Sequence, residues 1–505
     1  MAVYINTGKI GHTLYMNMTN KQASITKEQV EAAFTGCSDF MIRRIYIGED
    51  RDWAVWLCWM DGLASGSSIS SDVLRPLTDP ARFSHCRDIL HAYNEIYNGA
   101  VHNFTAKIPA DLDGLVTEIL SGSCALLFPS LGKTLSFEVR STFMRSVDQS
   151  TLEKSVKGSK EAFIENIRVN TCLVRRKLRT PALKNKVLTL GRKSNTFLSI
   201  LYIEGVASSH TVAMLETQLK QLDLDGLQVP GYLEQYIVDE PRSPFPQLLH
   251  TERPDTFVSM LLEGRVGFLV DGLPVGFAVP ASLSRFMQVT EDTAQHFAVA
   301  SMLVLLRYTA LVTAQLLPAL YVAITMYHQE MIPTQMLTSV INAKQQVPFS
   351  TAIEVLGMLA AFELLQEAGL RLPNPVGDTV SIIGALIVGQ AAVDARVVSP
   401  IAVIIVAFSG ISSYTMPSRD LASAIRLLRF ANVLAAAMGG IFGVATALAL
   451  TVWHLCTIES YGISYLHPFV DDSGDGWLHS LLRLPLWKEK FRDRKIAGFD
   501  RRKQK

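Results

Sequence analysis

The chain has 505 residues, of which 49% are hydrophobic and 18% charged, and its formal net charge is +1. Such a length predicts two to four domains, and the balanced charge argues against a nucleic-acid partner. Six scattered cysteines without a C-x-x-C pair are typical of a reducing compartment. The first residues lack a basic region followed by an apolar stretch, so we expect no signal peptide and a cytoplasmic N-terminal region.

The charged residues are distributed unevenly. Residues 297–456 hold only 14 Asp, Glu, Lys and Arg residues, whereas the 296 residues before them hold 62. This difference predicts an α/β soluble N-terminal region followed by an all-α multi-pass membrane domain.

The N-terminal region contains an internal repeat. One pair of matching stretches is LCWMDGLAS at 57–65 and ILYIEGVAS at 200–208. A second pair, at nearly the same offset, is LVTEILSGSCALLF at 115–128 and FVSMLLEGRVGFLV at 257–270. Each member of the second pair predicts the end of an amphipathic helix, a Gly stop and a buried strand. Two matches at one offset indicate a duplicated α/β unit.

The repeat and the composition together predict four segments. These are a soluble α/β subdomain I at 1–150, its duplicate subdomain II at 151–290, a membrane domain at 291–458 and a basic cytoplasmic tail at 459–505.

An acid followed by Gly ends one predicted strand in each copy, at Asp61 and at Glu204. Small-ligand sites of open α/β sheets lie at strand ends, so both acids are candidate ligand-binding residues. The alternative, which the pattern favours, is that Gly turns the chain while the acid caps the next element.

The predicted first helix of subdomain II is basic, with Arg175, Arg176, Lys177 and Arg179 close together. A solvent-exposed face is favoured here over a contact with a ligand or lipid.

The apolar stretch Phe297–Tyr327 contains one full charge, Arg307. As a helix its 31 residues would measure about 46 Å, against a hydrocarbon core of about 30 Å. A span over 308–327 leaves Arg307 at the interface, where its charge reaches water or lipid phosphate. A tilted span with Arg307 buried and paired is the functional alternative, which makes Arg307 a candidate for an ion path or for coupling.

Three further spans are predicted, at 378–393, 397–414 and 431–458. The first two are short and close in sequence, so we expect a tight helical hairpin. In the third, Gly439 and Gly443 form a G-x-x-x-G pattern, which predicts close helix packing.

The stretch 351–370 is predicted to be an amphipathic or in-membrane helix. It is largely apolar but carries Glu354 and Glu363, which project from opposite sides of a helix because they lie nine positions apart. Acids at membrane depth indicate a cation path or a coupling site. A surface amphipathic helix with hydrated carboxylates is equally compatible with the pattern.

The topology follows from the charge of the C-terminal segment. Residues 483–505 hold ten Lys or Arg against three acids, a net charge of +7, so the tail is expected to be cytoplasmic. With the N-terminal region also cytoplasmic, an even number of crossings is required, which selects four and makes the helix at 351–370 a non-crossing element. Arg419, Arg426 and Arg429 oppose this topology, because they would lie outside.

No sequence motif indicates catalysis. Gly132-Lys133-Thr134 lacks the first glycine of a P-loop, His328-Gln329-Glu330 lacks the second histidine of a metalloprotease, and neither a nucleophile elbow nor a dinucleotide fingerprint is present. We therefore expect no enzyme, no catalytic or metal-binding residue and no cofactor.

Several stretches together resemble the GerA family, the A subunits of bacterial spore germination receptors. The resemblance runs from about Val156 to about Ile458 and rests on GRKSNTFLSILYIEGVA, SPFPQLLHTERPD, LLEGRVGFLVDGLPVGFAVPA, PALYVAITMYHQEMIPT, EAGLRLPNPVGDTVSIIGALIVGQAAV and VVSPIAVIIVAFSGISSYTMPS.

The resemblance implies a nutrient germinant receptor in the spore inner membrane, with a transporter-like B subunit and a lipoprotein C subunit as partners. In such a receptor the B subunit is thought to bind the nutrient, so this chain would meet the germinant indirectly. The A subunit is thought to form a homo-oligomer that makes or gates a cation-conducting pathway in the lipid. The alternative is a membrane-anchored signalling scaffold that relays germinant binding without conducting.

Overall fold

The computed structural model describes residues 24–48, 53–101, 106–141, 153, 158–227, 230–371, 389–470 and 476–504. The chain forms two compact units. The first unit contains the residues up to Leu233, His250–Val279 and Ile496–Arg501, and the second contains Glu234–Leu249, Pro280–Lys495 and the residues from Arg502 onward.

The first unit contains two five-stranded sheets. The strands of the first sheet are β1 (Phe40–Tyr46), β2 (Ala54–Met60), β3 (Ala106–Lys107), β4 (Ser123–Phe128) and β5 (Lys133–Glu138). Those of the second sheet are β6 (Leu183–Leu190), β7 (Thr196–Ile203), β8 (Leu249–Thr251), β9 (Val266–Val270) and β10 (Gly276–Val279). Their orders, β1-β2-β4-β5-β3 and β6-β7-β9-β10-β8, are the same, and the pairings with a described register are antiparallel.

Helices precede or connect the strands of these sheets. The longer ones, in chain order, are α1 (Lys27–Ala33), α2 (Ile89–Glu95), α3 (Leu112–Leu120), α4 (Ile167–Lys177), α5 (Ser209–Gln221), α6 (Pro230–Ile237) and α7 (Pro254–Glu263). Shorter helical segments cover Gly66–Ser68, Ile69–Leu74, Arg75–Leu77, Pro80–Phe83 and Ile96–Ala100.

The predicted order of helix, Gly and buried strand is confirmed in both copies. Helix α3 leads through Gly122 into β4, and α7 leads through Gly264 into β9. Gly264 caps α7 with φ of 102°, a left-handed conformation that glycine adopts at little cost. Every residue of β4 and β9 is buried, and β4 places alternate side chains into two separate apolar clusters. These strands therefore form the centre of the two cores.

The second unit is mainly helical. Its long helices are α8 (Phe297–Tyr327), α9 (Thr334–Lys344), α10 (Thr351–Arg371), α11 (Pro400–Tyr414) and α12 (Arg419–Thr457). Short helical segments lie at Leu283–Phe286, Thr290–Ala294, Gln329–Met331, Gly476–Leu481 and Leu486–Lys488, and a small hairpin is formed by β11 (Glu459–Ser460) and β12 (Ile463–Ser464). Helices α8, α10, α11 and α12 share one apolar core, in which small residues such as Ala319, Ala402 and Ala436 allow close approach.

Helix α12 reverses its direction at Gly440, which has φ of 56° and ψ of −139°. A Cβ on Gly443 would lie 2.9 Å from the carbonyl carbon of Ala435, although eight residues of straight helix would separate them by about 12 Å. His454 near its end is hydrogen-bonded to Ser243, which lines the same cavity as Asp420 near its start. Thus α12 is a hairpin of two legs, 419–439 and 441–457.

This reversal corrects the predicted span at 431–458, because its two parts belong to different legs. Among the described residues, α8 and α12 are long and apolar enough to cross a membrane by length and composition, and α11 is a shorter apolar helix. The predicted span at 378–393 lies largely outside the described residues. Its described end is helical, over residues 389–394. The span predicted at 397–414 corresponds to α11, which begins three residues later, at Pro400.

The predicted basic tail is not a separate segment. Residues 459–495 belong to the second unit, whereas Ile496–Arg501 belong to the first, where Ala497 pairs with Ala207.

Candidate functional site

Glu354, on the first turn of α10, is a buried carboxylate inside the helical unit. Its side chain has 0% exposure, and its Oε2 accepts a hydrogen bond from the backbone N–H of Ser399 at 2.9 Å. Ser399 is the N-cap of α11, so the negative charge lies at the positive end of that helix. Glu354 is therefore not the hydrated carboxylate of a surface amphipathic helix.

The other oxygen of Glu354 faces a lysine that the sequence did not single out. Oε1 lies 3.9 Å from Nζ of Lys344 and has no hydrogen-bond partner among the described residues. The Lys344 ammonium also donates a hydrogen bond to Oγ1 of Thr351. Burial lowers the pKa of Lys344, while the charge of Glu354 opposes that change. Lys344 is the one lysine in residues 297–456, a signal that could have identified it.

Glu363 belongs to a second charged cluster. Its Oε1 lies 2.8 Å from Nη1 of Arg426, and its Oε2 lies 3.9 Å from Nη2 of the buried Arg429. Arg429 also donates to Oγ of Ser409 at 3.3 Å, and that hydroxyl donates to the carbonyl of Ala314 at 2.8 Å. The cluster links α8, α10, α11 and α12.

The two acids of α10 are thus directed at different partners. Glu354 contacts the end of α9 and the start of α11, whereas Glu363 contacts α12. The sequence placed them on opposite sides of one helix, and no described contact joins them. Each acid has a cationic side chain within 4 Å, although Oε1 of Glu354 accepts no hydrogen bond from the described residues.

Arg307 forms a bidentate ion pair. Its guanidinium donates to both carboxylate oxygens of Asp292, at 2.6 and 2.9 Å, and to the carbonyl of Met287 at 3.1 Å. The exposures are 14% for Arg307 and 6% for Asp292, so the buried and paired alternative describes this arginine better than a solvated edge. Asp292 precedes the apolar stretch by a few residues, and no spacing pattern in the sequence marks it.

The glycine in close helix contact is Gly440 and not Gly439. A Cβ on Gly439 would meet no described heavy atom within 4 Å, whereas one on Gly440 would lie 3.0 Å from Cβ of Tyr327. Gly443 contacts Ala435 of its own helix across the reversal. Gly443 therefore lies where the two helical legs of α12 approach closely, whereas Gly439 makes no close contact with the described residues.

Asp61 and Glu204 are held in ion pairs at the surface of the first unit. Asp61 lies 3.4 Å from Nε of Arg168, and Glu204, which is 67% exposed, lies 3.1 Å from Nζ of Lys184. The argument for ligands at strand ends applies to open parallel sheets, and the described pairings here are antiparallel. The glycines after the two acids have φ of 84° and 81°, as expected for chain turns.

The basic helix of the first unit is only partly solvated. Arg175 is 1% exposed and forms a bidentate ion pair with Asp39, at 2.7 and 2.8 Å. Arg176 and Lys177 both contact Glu161 at the surface. The prediction of an exposed face is therefore wrong for Arg175. The sequence could not reveal its partner Asp39, because the two residues are 136 positions apart in the chain.

Comparison with known proteins finds similar sequences over most of the chain. Residues 28–495 match the family model described as Bacillus/Clostridium GerA spore germination protein. Spore germination protein KA of Bacillus subtilis is 33% identical over 96% of this chain and 88% of its own length. The B. subtilis protein named "Uncharacterized membrane protein YfkQ" is 35% identical over 90% of this chain and 87% of its own length. Spore germination protein A1 of B. subtilis is 36% identical over 74% of this chain and 77% of its own length.

Among solved structures, the N-terminal domain of the A subunit of the Bacillus megaterium spore germinant receptor GerK3 is 27% identical, with a TM-score of 0.40, over 52% of this chain and 95% of that domain. The family match covers nearly the whole described chain, and the KA and YfkQ proteins exceed 30% identity over most of their own lengths. The chain belongs to the GerA family of spore germination proteins.

Proposed function

We propose that this chain is the A subunit of a nutrient germinant receptor and that it forms or gates a cation-conducting pathway in the membrane. The observation that carries the proposal is the buried carboxylate of Glu354 among apolar helices. An ionised group in such surroundings is costly, and in membrane proteins it commonly marks a path for ions or a site of coupling.

The helical unit is proposed to span the membrane several times. The two legs of α12 would measure about 31 Å and about 26 Å, close to the thickness of a hydrocarbon core. Arg429 is linked through Ser409 to Ala314 of α8, and Tyr327, further along α8, donates to the carbonyl of Ala437. These two contacts indicate that α8 and the first leg run in the same direction. The reversal at Gly440 then returns the chain to the side on which α8 starts.

In the topology predicted from the sequence, the arginines of α12 would lie outside the cell membrane, and this arrangement avoids that placement. Arg419 begins the first leg, at the end that corresponds to the start of α8, whereas Arg429 lies at the middle of that leg, level with Ala314. The basic C-terminal segment is close to the same place, since Ser301 near the start of α8 is hydrogen-bonded to the backbone of Arg483. We place Arg419 and the C-terminal cations on the cytoplasmic side, in accordance with the positive-inside rule. Arg426 and Arg429 lie within the bundle, where both contact Glu363.

Helix α10 is proposed to lie within the bundle and not on the membrane surface. Val355 and Leu359 belong to the shared apolar core, while Glu354 and Glu363 each contact neighbouring helices. The sequence predicted that this helix does not cross the membrane, because the number of crossings was counted with a single span at 431–458. That region forms parts of two legs, so the count no longer excludes a crossing by α10. Glu354 and Glu363 lie about 13 Å apart along α10, so they would act at two levels of the bundle.

The proposed receptor contains a transporter-like B subunit and a lipoprotein C subunit, with several copies of this chain, in the spore inner membrane. In this arrangement the B subunit takes the nutrient, and this chain responds through its contacts with that partner. The first unit, which holds more than half of the chain, would provide surface for these contacts on the cytoplasmic side.

Cation efflux from liposomes that hold the complete receptor tests the proposal. We expect nutrient to start efflux from the wild-type complex, and we expect Glu354→Gln and Glu363→Gln to change its rate. Glu330→Gln serves as the control, because Glu330 is 74% exposed and lies outside the long helices. Nutrient binding without any efflux would refute the pathway and would favour the signalling scaffold.

A further inference from the structure

The unpaired oxygen of Glu354 points to a binding site. Glu354 is 1% exposed, and its Oε1 has no hydrogen-bond partner among the described residues. A buried carboxylate oxygen without a donor loses its hydration and gains nothing in return, which is unfavourable. A group that supplies positive charge at this oxygen would stabilise the folded chain.

Other side-chain oxygens surround the same place. Thr351 is fully buried, and its Oγ1 lies close enough to accept a hydrogen bond from the lysine that faces Glu354. Tyr321 of α8 has a buried hydroxyl close to Ser399, the residue whose backbone N–H donates to Glu354. One carboxylate and two hydroxyls give a set of hard oxygen ligands with a total charge of −1.

The present occupant is the ammonium group of Lys344. It donates to Thr351 and lies 3.9 Å from Oε1 of Glu354, so it supplies the positive charge of the site. That distance is too long for a hydrogen bond. The ammonium therefore balances the charge of the carboxylate without satisfying its second oxygen.

The helix that carries Lys344 is only loosely attached. No residue of α9 is buried, and a cavity of about 420 Å³ lies between α8 and α9. Tyr321 lines this cavity together with Met336 and Ser339 of α9. Helices with so few buried contacts detach at low free-energy cost. Movement of α9 would withdraw Lys344 and leave Glu354 accessible from the cavity.

We propose that Glu354, Thr351 and Tyr321 form a binding site for a monovalent cation, and that Lys344 is a tethered competitor which occupies the site at rest. The inference rests on the proposed cation pathway, for which it names a gated binding site. Withdrawal of Lys344 leaves a buried, unbalanced carboxylate, which a free monovalent cation then neutralises. A divalent ion fits less well, because Ca²⁺ takes six to eight oxygens, usually from several carboxylates.

Binding of radioactive sodium ions to the purified full-length chain in its receptor complex tests this site directly. We expect Lys344→Gln to bind sodium at least about tenfold more tightly than the wild type, because the competing ammonium is gone. Addition of Glu354→Gln to that variant should abolish the gain. The matched control is Lys220→Gln, since Lys220 is an exposed lysine of the first unit that pairs with Glu216. Equal sodium affinity in the wild type and in Lys344→Gln would overturn the inference.

A measurement on the wild-type complex covers the case in which Lys344→Gln does not fold. If sodium displaces Lys344, the rate at which an amine-reactive reagent modifies Lys344 rises with sodium chloride and not with choline chloride. The modification rate of Lys220 should be the same in both salts. A Lys344 rate that does not respond to sodium would contradict displacement.

The binding and efflux assays separate this inference from the proposed function. Efflux that depends on nutrient, together with no sodium binding to Lys344→Gln, would refute the tethered competitor and retain the pathway. Sodium binding that requires Glu354 in a complex that never conducts would retain the site and refute the pathway.

Discussion

Gly440 of α12 packs directly against Tyr327 at the end of α8. A Cβ on Gly440 would lie 3.0 Å from Cβ of Tyr327 and 3.1 Å from Nε2 of His328, and the hydroxyl of Tyr327 donates to the carbonyl of Ala437. The backbone of Gly440 has φ of 56° and ψ of −139°, a region that is nearly restricted to glycine. Both the reversal of α12 and its contact with α8 therefore require a residue without a side chain.

We accordingly expect Gly440→Ala to destabilise the chain by about 1 to 3 kcal/mol, from backbone strain and from the clash with Tyr327. Thermal unfolding of the full chain in detergent measures this as a lower midpoint. Gly439→Ala is the control and should leave the midpoint unchanged, since its Cβ would enter open space. Equal effects of the two substitutions would contradict the reversal at Gly440.

The ion pair between Arg175 and Asp39 should contribute strongly to the stability of the first unit. It joins α4 to the residue before β1, and both side chains are nearly inaccessible, at 1% and 8%. Removal of one partner from a buried pair leaves an uncompensated charge, which costs about 3 to 5 kcal/mol. We expect Arg175→Met to lower the unfolding midpoint of the full chain markedly.

The control for this substitution is Arg168→Met on the same helix. Arg168 is 75% exposed and lies 3.4 Å from Asp61, a surface pair. Surface pairs contribute about 0 to 1 kcal/mol. A loss for Arg168→Met as large as that for Arg175→Met would show that the helix itself, and not the buried pair, determines the effect.

These two sites illustrate what the sequence could predict. The helix, Gly and strand order of α3–β4 and α7–β9 was predictable, because periodicity and a C-terminal Gly are local signals. The partner of Arg175 lies 136 residues away, and no local pattern separates a buried arginine from a solvated one. The reversal at Gly440 was missed because an apolar run gives the same composition to one long helix and to two short legs.

The sequence also identified only some of the residues of the candidate site. Glu354 and Glu363 were identifiable as acids in an apolar helix, and Arg307 as a charge in an apolar stretch. Their partners Lys344, Arg426 and Asp292 come from other elements, so only tertiary packing reveals them. Charge type was thus accessible from the sequence, whereas burial and pairing were not.

The buried thiols of the first unit should be unreactive near neutral pH. Burial raises the pKa of Cys172 to about 11 and that of Cys124 to about 12, from an ordinary value of 9.0. The thiolate is the reactive form, so at pH 8 we expect maleimide to modify the exposed Cys456 well before these two. Mass spectrometry of the labelled chain after digestion checks this order.

The same pKa changes have a consequence for stability at alkaline pH. The thiols of Cys124 and Cys172 hold their protons more tightly in the folded chain than in the unfolded chain. As pH rises from 9 towards 11 or 12, the unfolded chain loses these protons first, so unfolding becomes more favourable. Cys124→Ala should weaken this alkaline loss of stability, whereas Cys456→Ala should leave it unchanged.

Glu363 and Arg429 should show strong energetic coupling. Glu363→Gln leaves the buried Arg429 without its nearest acid, and Arg429→Met leaves Glu363 with Arg426 alone. Residues in one charged network typically couple by about 0.5 to 3 kcal/mol. We expect the double substitution to cost less than the sum of the single ones in thermal unfolding. Additive losses would mean that Arg426, which is closer to Glu363, carries the interaction.

The hairpin form of α12 predicts the sidedness of three positions. Cys456 at the end of the second leg and Ser423 near the start of the first should lie on one side of the membrane, and Gly439 at the turn on the other. Cysteine labelling with a membrane-impermeant maleimide distinguishes these sides. We expect Gly439→Cys to react in sealed right-side-out vesicles, whereas Cys456 and Ser423→Cys react only in inverted vesicles.

A straight α12 predicts a different pattern, because its two ends would lie on opposite sides and its middle would be within the lipid. In that case Ser423→Cys and Cys456 would react from opposite sides, and Gly439→Cys would be protected from both. The substitution Cys456→Ser in the background of the other two variants ensures that each signal comes from a single thiol of α12. Gly439 and Ser423 are both exposed in the folded chain. If a cysteine at either position does not react with maleimide, the protection therefore comes from lipid or from a neighbouring subunit, and not from packing within the chain.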